Sequence, residues 1–417
     1  MKKKNLISVF AVTALLTLGS AVTSFAAGWT TNSANQWIYI DSDGEQVFDE
    51  WRKDASGTNF YYLNSDGVMA VNSLINGNYY VGADGAMVKN CWQRLPGDDE
   101  WDSDLYWYYF SDTGKALESG WKTINGQRYY FEDYKMKTGW LNSNDSTYYL
   151  DDSGAMAIGW RYLYPDDEDS NEEYWFYFGS NGKMSFSKEQ KIDGSYYAFD
   201  GTGRMLSGWV NLSDFTSSYF DNLTNKQNVD ALRYYNAGGQ QVNGWMYTMT
   251  PDDYDEGWYY FRDGRAYNPN YKTTKLDDNY CVAKIDGSVY CFDKNGYMMT
   301  DLIETSDGRL FYFEENGRMA TGKIEIDGEQ FYMDTTGKLG SIGSAYTGAK
   351  NGYLYENGTL ITADYGTKYE IKTVDGKRYL VNEKGKIKTS GTVKDSDGTS
   401  YKVTKNSNGG YDIVVTH

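Results

Sequence analysis

Gly-Trp, then a glycine turn, then an aromatic run such as Tyr-Tyr-Phe, recurs along the 417-residue chain about every 20 residues. The pattern is clearest at Gly120-Trp121, Gly139-Trp140, Gly159-Trp160, Gly208-Trp209 and Gly244-Trp245. A period of that length marks small supersecondary units, none able to bury its apolar face alone, so neighbours must stack into a solenoid. An array of aromatic-bearing units suggests a binding rod.

One full unit, Gly120 to Phe131, holds two β-prone runs joined by Asn125-Gly126, the strongest short-range hairpin signal. The segment Glu132 to Thr138 then leads to Trp140 as a connector. The same grammar appears at Asp193-Gly194, Asp286-Gly287 and Asp327-Gly328, each ahead of a tyrosine or phenylalanine run. Connector methionines recur as Met69, Met87, Met136, Met156, Met184, Met205, Met299 and Met319. An isolated hairpin is marginal in water, so stacked aromatics and methionines must form a common core. Composition agrees: 45 glycines, 41 tyrosines, 13 tryptophans and only 4 prolines.

The first 26 residues read as an export signal: Lys2 to Lys4, an apolar stretch from Leu6 to Leu18, then Ser24-Phe25-Ala26 as a small-residue cleavage site. Cleavage there would leave Gly28-Trp29 near the new N-terminus, with 37 basic against 58 acidic residues, a net charge of about −21. Such a surface repels nucleic acid and anionic lipid and accepts a cation or a neutral sugar. Leu95-Pro96-Gly97 lacks the threonine and hydrophobic tail of a sortase signal. The expectation is a secreted protein, held non-covalently at the bacterial surface.

From Gly28 to about Leu339 this pattern resembles the choline-binding, or cell-wall-binding, repeat family. The resemblance implies an all-β solenoid of stacked hairpins in a left-handed superhelix, with choline held between neighbours in a box of aromatic rings closed by a methionine. Related repeats occur in glucan-binding proteins and clostridial toxins, so architecture is implied more sharply than ligand. Carried over by position, Trp121, Trp140 and Trp160 supply box walls, Tyr129, Tyr130, Tyr148 and Tyr149 further rings, and Met136 and Met156 the edges. Trp107, Trp175, Trp209, Trp245 and Trp258 form a second group of candidate rings. Trp51 follows Glu50, Trp92 follows Cys91, and no tryptophan stands near Leu74 or Lys188, so those junctions read as doubtful sites.

Alternate strand residues face opposite sides, so about half of these aromatics should be core. Any single ring is best explained by packing, whereas the array as a whole asks for a ligand. Three rings around a quaternary ammonium at about 0.5 to 2 kcal/mol each correspond to roughly millimolar affinity. Repetition against a polymer raises apparent binding by about 10² to 10⁴.

The sole histidine is His417. That removes the usual Ser-His-Asp and Cys-His catalysis and any zinc site of several histidines. Two carboxylates suffice for a glycosidase, but most acids sit in Asp-Gly turns such as Asp43-Gly44, Asp66-Gly67, Asp84-Gly85 and Asp307-Gly308, where hairpin geometry explains them. No enzyme activity, cofactor or metal is expected. Three acidic insertions follow Pro96, Pro165 and Pro251 and read as solvated loops, and residues 212–233 form a further insertion.

Cys281 and Cys291 flank Asp286-Gly287 closely enough to staple one hairpin, although a tight two-residue turn puts them slightly out of register. Residues 344–417, with no tryptophan and a reversed charge sign, read as degenerate repeats or a small β-rich cap after the 27–343 array. The functional expectation is a non-catalytic protein that binds choline on teichoic acid or wall or glucan carbohydrate. The alternatives are a host-glycan-binding adhesin or toxin-like module and, more weakly, a glycan hydrolase.

Overall fold

A computed structural model of the chain describes residues 27–97, 104–166, 171–217, 231–251 and 255–416. The expected export signal, His417 and most of the three acidic insertions lie outside the described residues, as does much of the 212–233 insertion. The named elements are all β-strands, and nearly all pair antiparallel with their sequence neighbours. They group into two compact units, one up to residue 173 together with 177–184, the other 174–176 and 185 onward.

Turn chemistry makes each hairpin. Strands Gly120–Ile124 and Gln127–Glu132 pair from Gly120↔Phe131 to Ile124↔Gln127. Their turn puts Asn125 at φ +50° and Gly126 at φ +81°, the two left-handed residues of a type I′ turn that matches strand twist. In the Gly-Trp hairpins a large residue near the end of the second strand meets the glycine opposite: Phe131 faces Gly120, and Leu150 faces Gly139. Phe110, Phe131, Leu150, Phe261 and Phe313 are buried almost completely. Each such side chain contributes about 1.5–3 kcal/mol of burial.

Hairpins are locked to one another through the connectors. In the unit of residues up to 173, Asp151 accepts the backbone N–H groups of Ser153 and Ala155 and curls the chain back. The Met156 amide then donates 2.8 Å to the Arg128 carbonyl of the preceding hairpin. The same bond recurs from Met69 to Trp37 and from Met87 to Phe60, and in the other unit from Met205 to Trp175 and from Met319 to Val289. Each methionine side chain also lies on the turn glycine of the following connector: a Cβ placed on Gly154 would fall 2.2 Å from Met136 Sδ and 2.8 Å from its Cγ. Met156 covers Gly182, Met205 covers Gly239 and Met319 covers Gly343 in the same way. Where Met299 was expected in this role, Met298 covers Gly317, and Met299 instead pairs with Cys291.

Asp43-Gly44, Asp66-Gly67 and Asp84-Gly85 belong to such connector turns, whereas Asp307-Gly308 joins two hairpin strands. A five-stranded sheet of residues 322–360 runs through residue 343, joined by the Phe331↔Thr359 pair. The C-terminal segment therefore begins inside a sheet. Beyond it Leu380, Val381, Val403 and Ile413, with Tyr379 and Tyr411, pack with Leu354 of that sheet in a further core.

The Cys281–Cys291 staple is not formed, and both thiols are free. Cys281 pairs with Phe292, whereas Cys291 pairs with Val282. Direct cross-strand partners share a face, so the one-residue offset sends the two sulfurs to opposite faces and into different core clusters. Burial pushes the Cys281 thiol up to about 12 and raises that of Cys291 as well.

Two predictions follow from this packing. Gly154→Ala should cost about 1–3 kcal/mol more than Gly126→Ala, because it overpacks against Met136 while both share the left-handed strain; thermal melting of the two variants measures the difference. Native protein should expose at most the half-buried Cys91 to a thiol reagent at neutral pH, with Cys281 and Cys291 reacting only in denaturant.

Candidate functional site

Tryptophans at the start of hairpins pair with a tyrosine across the strand: Trp29 with Tyr39, Trp51 with Tyr62, Trp92 with Tyr109, Trp121 with Tyr130, Trp140 with Tyr149, Trp209 with Tyr234 and Trp245 with Tyr260. The next hairpin adds a ring from the other face of its aromatic run. Trp121 meets Tyr130 at 5.3 Å and 75°, and Tyr148 of the following hairpin at 4.8 Å and 62°. Adjacent tyrosines are therefore split: Tyr130 belongs to the Trp121 junction, whereas Tyr129 reaches back 5.0 Å to Trp92.

At the Trp92 and Trp245 junctions a fourth ring comes from the residue two positions before the cross-strand tyrosine. At the first, in the unit up to residue 173, Trp92 has Tyr109 at 5.1 Å and 71°, Tyr129 at 5.0 Å and 61°, and Trp107 at 6.4 Å and 89°. At the second, in the other unit, Trp245 has Tyr260 at 5.1 Å and 71°, Tyr290 at 4.7 Å and 63°, and Trp258 at 6.5 Å and 82°. A phenylalanine, Phe131 or Phe292, stacks behind each tryptophan. Rings near right angles present different faces to a common space, as a cation box requires.

A cavity of about 400 Å³ opens at the Trp245 junction, lined by Trp245, Trp258, Tyr290, Met298, Glu315 and Asn316. Trp258 is 45% exposed, so it forms an outer wall. Met298 supplies a polarizable floor, and Glu315 places a carboxylate at the rim. At the Trp92 junction, burial pushes the Tyr129 hydroxyl above its usual range, and the negative charge of Asp151 adds to the shift.

The other expected rings are placed differently. Trp140 packs on Tyr149 at 5.3 Å and Phe178 at 6.0 Å, and its indole N–H donates to the Tyr164 carbonyl. Trp209 makes the corresponding bond to Met249 and packs among Tyr234, Tyr259 and Phe261. Trp160 lies 5.1 Å from Tyr177, and Trp175 is 44% exposed. Met136 and Met156 serve the connector glycines described above.

Trp92, expected to be doubtful, is thus at a four-ring junction. In the Gly-Trp units the glycine itself is left-handed, with Gly139 at φ +78°; at Trp92 and Trp51 the preceding Asn90 (φ +50°) and Asp49 (φ +51°) take over that conformation. An asparagine or aspartate two residues before the tryptophan was the signal available in the sequence.

Where the tryptophan is missing at Lys188, the junction has become polar. Glu189 holds the tryptophan position, and its Oε1 accepts the Tyr235 hydroxyl at 2.6 Å and the Gln241 amide at 2.7 Å, Gln241 standing where other connectors carry methionine. Burial, then Glu189, drives the Tyr235 hydroxyl far above its usual range, which keeps it protonated as a donor. Hydrogen bonds to charged groups contribute about 1.5–3 kcal/mol, so Tyr235→Phe should lose about that much stability in urea unfolding followed by tryptophan fluorescence.

Comparison with known proteins finds repeats of a known kind in parts of the chain. Choline-binding-repeat models match residues 57–87, 119–160 and 282–323, and a putative cell wall binding repeat matches 170–184. The chain is 29% identical over 203 residues to glucosyltransferase-S of Streptococcus mutans, a match covering 44% of this chain and 13% of that protein. It is 31% identical over 102 residues to a putative endo-beta-N-acetylglucosaminidase of Streptococcus pneumoniae, covering 24% of this chain and 14% of the relative. The solved structure of CbpJ from Streptococcus pneumoniae aligns with 20% identity and a TM-score of 0.32, over 87% of this chain and all of that one.

Proposed function

Since this chain carries choline-binding, cell-wall-binding repeats, we propose that it is a secreted, non-catalytic wall-binding protein whose four-ring junctions hold the quaternary ammonium of choline on a teichoic-acid-type polymer. The observation that carries this reading is the Trp245 cavity, where Trp245, Trp258 and Tyr290 surround a space with Met298 inside and Glu315 at its rim. A quaternary ammonium cannot donate a hydrogen bond, so ring faces and a nearby carboxylate are the groups that compensate its lost hydration. The formal net charge of −18 favours a cationic ligand over the whole surface.

The non-catalytic part of the proposal rests on how the acids are used. Asp151 and Asp277 accept backbone N–H groups in turns, and those bonds hold the Asp277 carboxyl below its usual range even though burial opposes them. Carboxylates committed to turns are poor general acids. Four rings at about 0.5–2 kcal/mol each leave a single junction near millimolar affinity. Binding to a polymer therefore depends on several junctions acting together.

Isothermal titration of the full chain with choline should give saturable heat in the millimolar range. Trp92→Ala and Trp245→Ala should each remove part of it, and the double variant nearly all of it, whereas Trp140→Ala should remove little. Silence with choline but heat with a glucan or a muropeptide would overturn the choline assignment and reassign Trp258 and Asn316 to sugar stacking and hydrogen bonding. Turnover of either glycan would overturn the non-catalytic one.

A further inference from the structure

We propose that Arg128 is a built-in cation that fills the Trp121 junction and withdraws it from the ligand sites of the chain, an inference that rests on reading the open junctions as cation boxes. The residue two positions before the cross-strand tyrosine separates the Trp121 junction from those of Trp92 and Trp245. Residues two apart on a strand share a face, so this position lies on the face of the tryptophan–tyrosine pair. Trp107 and Trp258 occupy it at the Trp92 and Trp245 junctions and act as a wall. In the hairpin from Gly120 to Glu132 it is Arg128, whose guanidinium carbon sits 4.5 Å from the centre of the Trp121 ring.

That distance is well inside cation–π range, and guanidinium stacks on aromatic faces with little hydration to lose. The rest of the Trp121 junction keeps the geometry of the open ones, with Tyr130 at 5.3 Å and Tyr148 at 4.8 Å. Its walls are built, and the chain's own charge lies across one of them. The Arg128 backbone is held by the Met156 amide bond, so the side chain starts from a fixed point. A tethered cation competes at roughly millimolar effective concentration or above, enough to displace a free ligand of roughly millimolar affinity.

Arg52 offers a contrast. It approaches the Tyr39 ring of the Trp29 junction at 5.4 Å, but Glu50 holds it at 2.7 Å, so its charge is already neutralised beside the ring. Arg128 forms no ion pair among the described residues, and Trp121 is its recorded charge-accepting partner. Among the described residues, no lysine or arginine lies over Trp92, Trp107, Trp245 or Trp258.

The experiment is a choline titration of the full chain with ¹⁵N-labelled tryptophan, in which each indole N–H reports its own junction by NMR. Wild type is compared with Arg128→Thr and Arg128→Gln. Threonine is a side chain the fold already uses, because Thr147 holds the same position in the next hairpin, and glutamine keeps bulk without charge. The Trp121 indole should titrate in both variants, with half-saturation at least about tenfold lower than in wild type, as expected when one competing cation–π contact is removed. Trp92 and Trp245 should titrate alike in all three proteins.

If Trp92 and Trp245 respond while Trp121 titrates the same in wild type and in the folded variants, the Arg128 proposal is overturned and the proposed function stands. If Trp121 responds only in the variants while Trp92 and Trp245 stay silent throughout, Arg128 is confirmed as a plug and the assignment of the open junctions falls. Silence at every indole overturns both.

Discussion

Everything in this chain depends on one repeated backbone bond: the amide of a connector residue donating to a carbonyl of the preceding hairpin, as Met156 does to Arg128. A two-stranded hairpin alone is marginal in water. The bond fixes how far one hairpin is advanced relative to the previous one, and therefore which ring of the second meets the tryptophan of the first. The methionine lying on the next turn glycine adds a steric lock, since Met136 against Gly154 leaves no room for a Cβ. Stacking register and ring geometry are thus one property. A junction takes its shape from the connectors as much as from its aromatic residues.

The period of Gly-Trp and the Asn-Gly and Asp-Gly turns made the hairpin array legible in the sequence, because those signals are local: type I′ geometry requires left-handed residues at positions such as Asn125 and Gly126. Which rings share a site was not legible. Tyr129 and Tyr130 are neighbours in sequence yet serve Trp92 and Trp121 respectively, because strand alternation sends them to opposite faces. Trp92 itself was obscured by the transfer of the left-handed backbone from a glycine to Asn90. The cysteine pairing failed for a related reason: proximity in sequence says nothing about face, and Cys281 and Cys291 are offset by one position.

The junctions differ in how their aromatic residues are used. Phe131 and Phe292 are buried and stack behind Trp92 and Trp245, where they hold the indole rings in place. At Trp140 and Trp209 the indole N–H is bonded to a backbone carbonyl, which ties each ring into the packing. At Glu189 the aromatic contact has been exchanged for a hydrogen-bonded set of Glu189, Tyr235 and Gln241, which shows that the connector register survives without a tryptophan.

One position on the second strand therefore separates the Trp121 junction from those of Trp92 and Trp245. With tryptophan there, as at Trp107 and Trp258, a fourth ring joins the junction; with Arg128, the junction is charged from within. Because the residue lies on the outer face of a hairpin whose core is formed by other side chains, it can vary at little cost to stacking. An array built this way can change its number of open sites one residue at a time while its fold stays constant. On the proposed reading, in which single sites are weak, that number would set binding to a polymer more strongly than the quality of any one site.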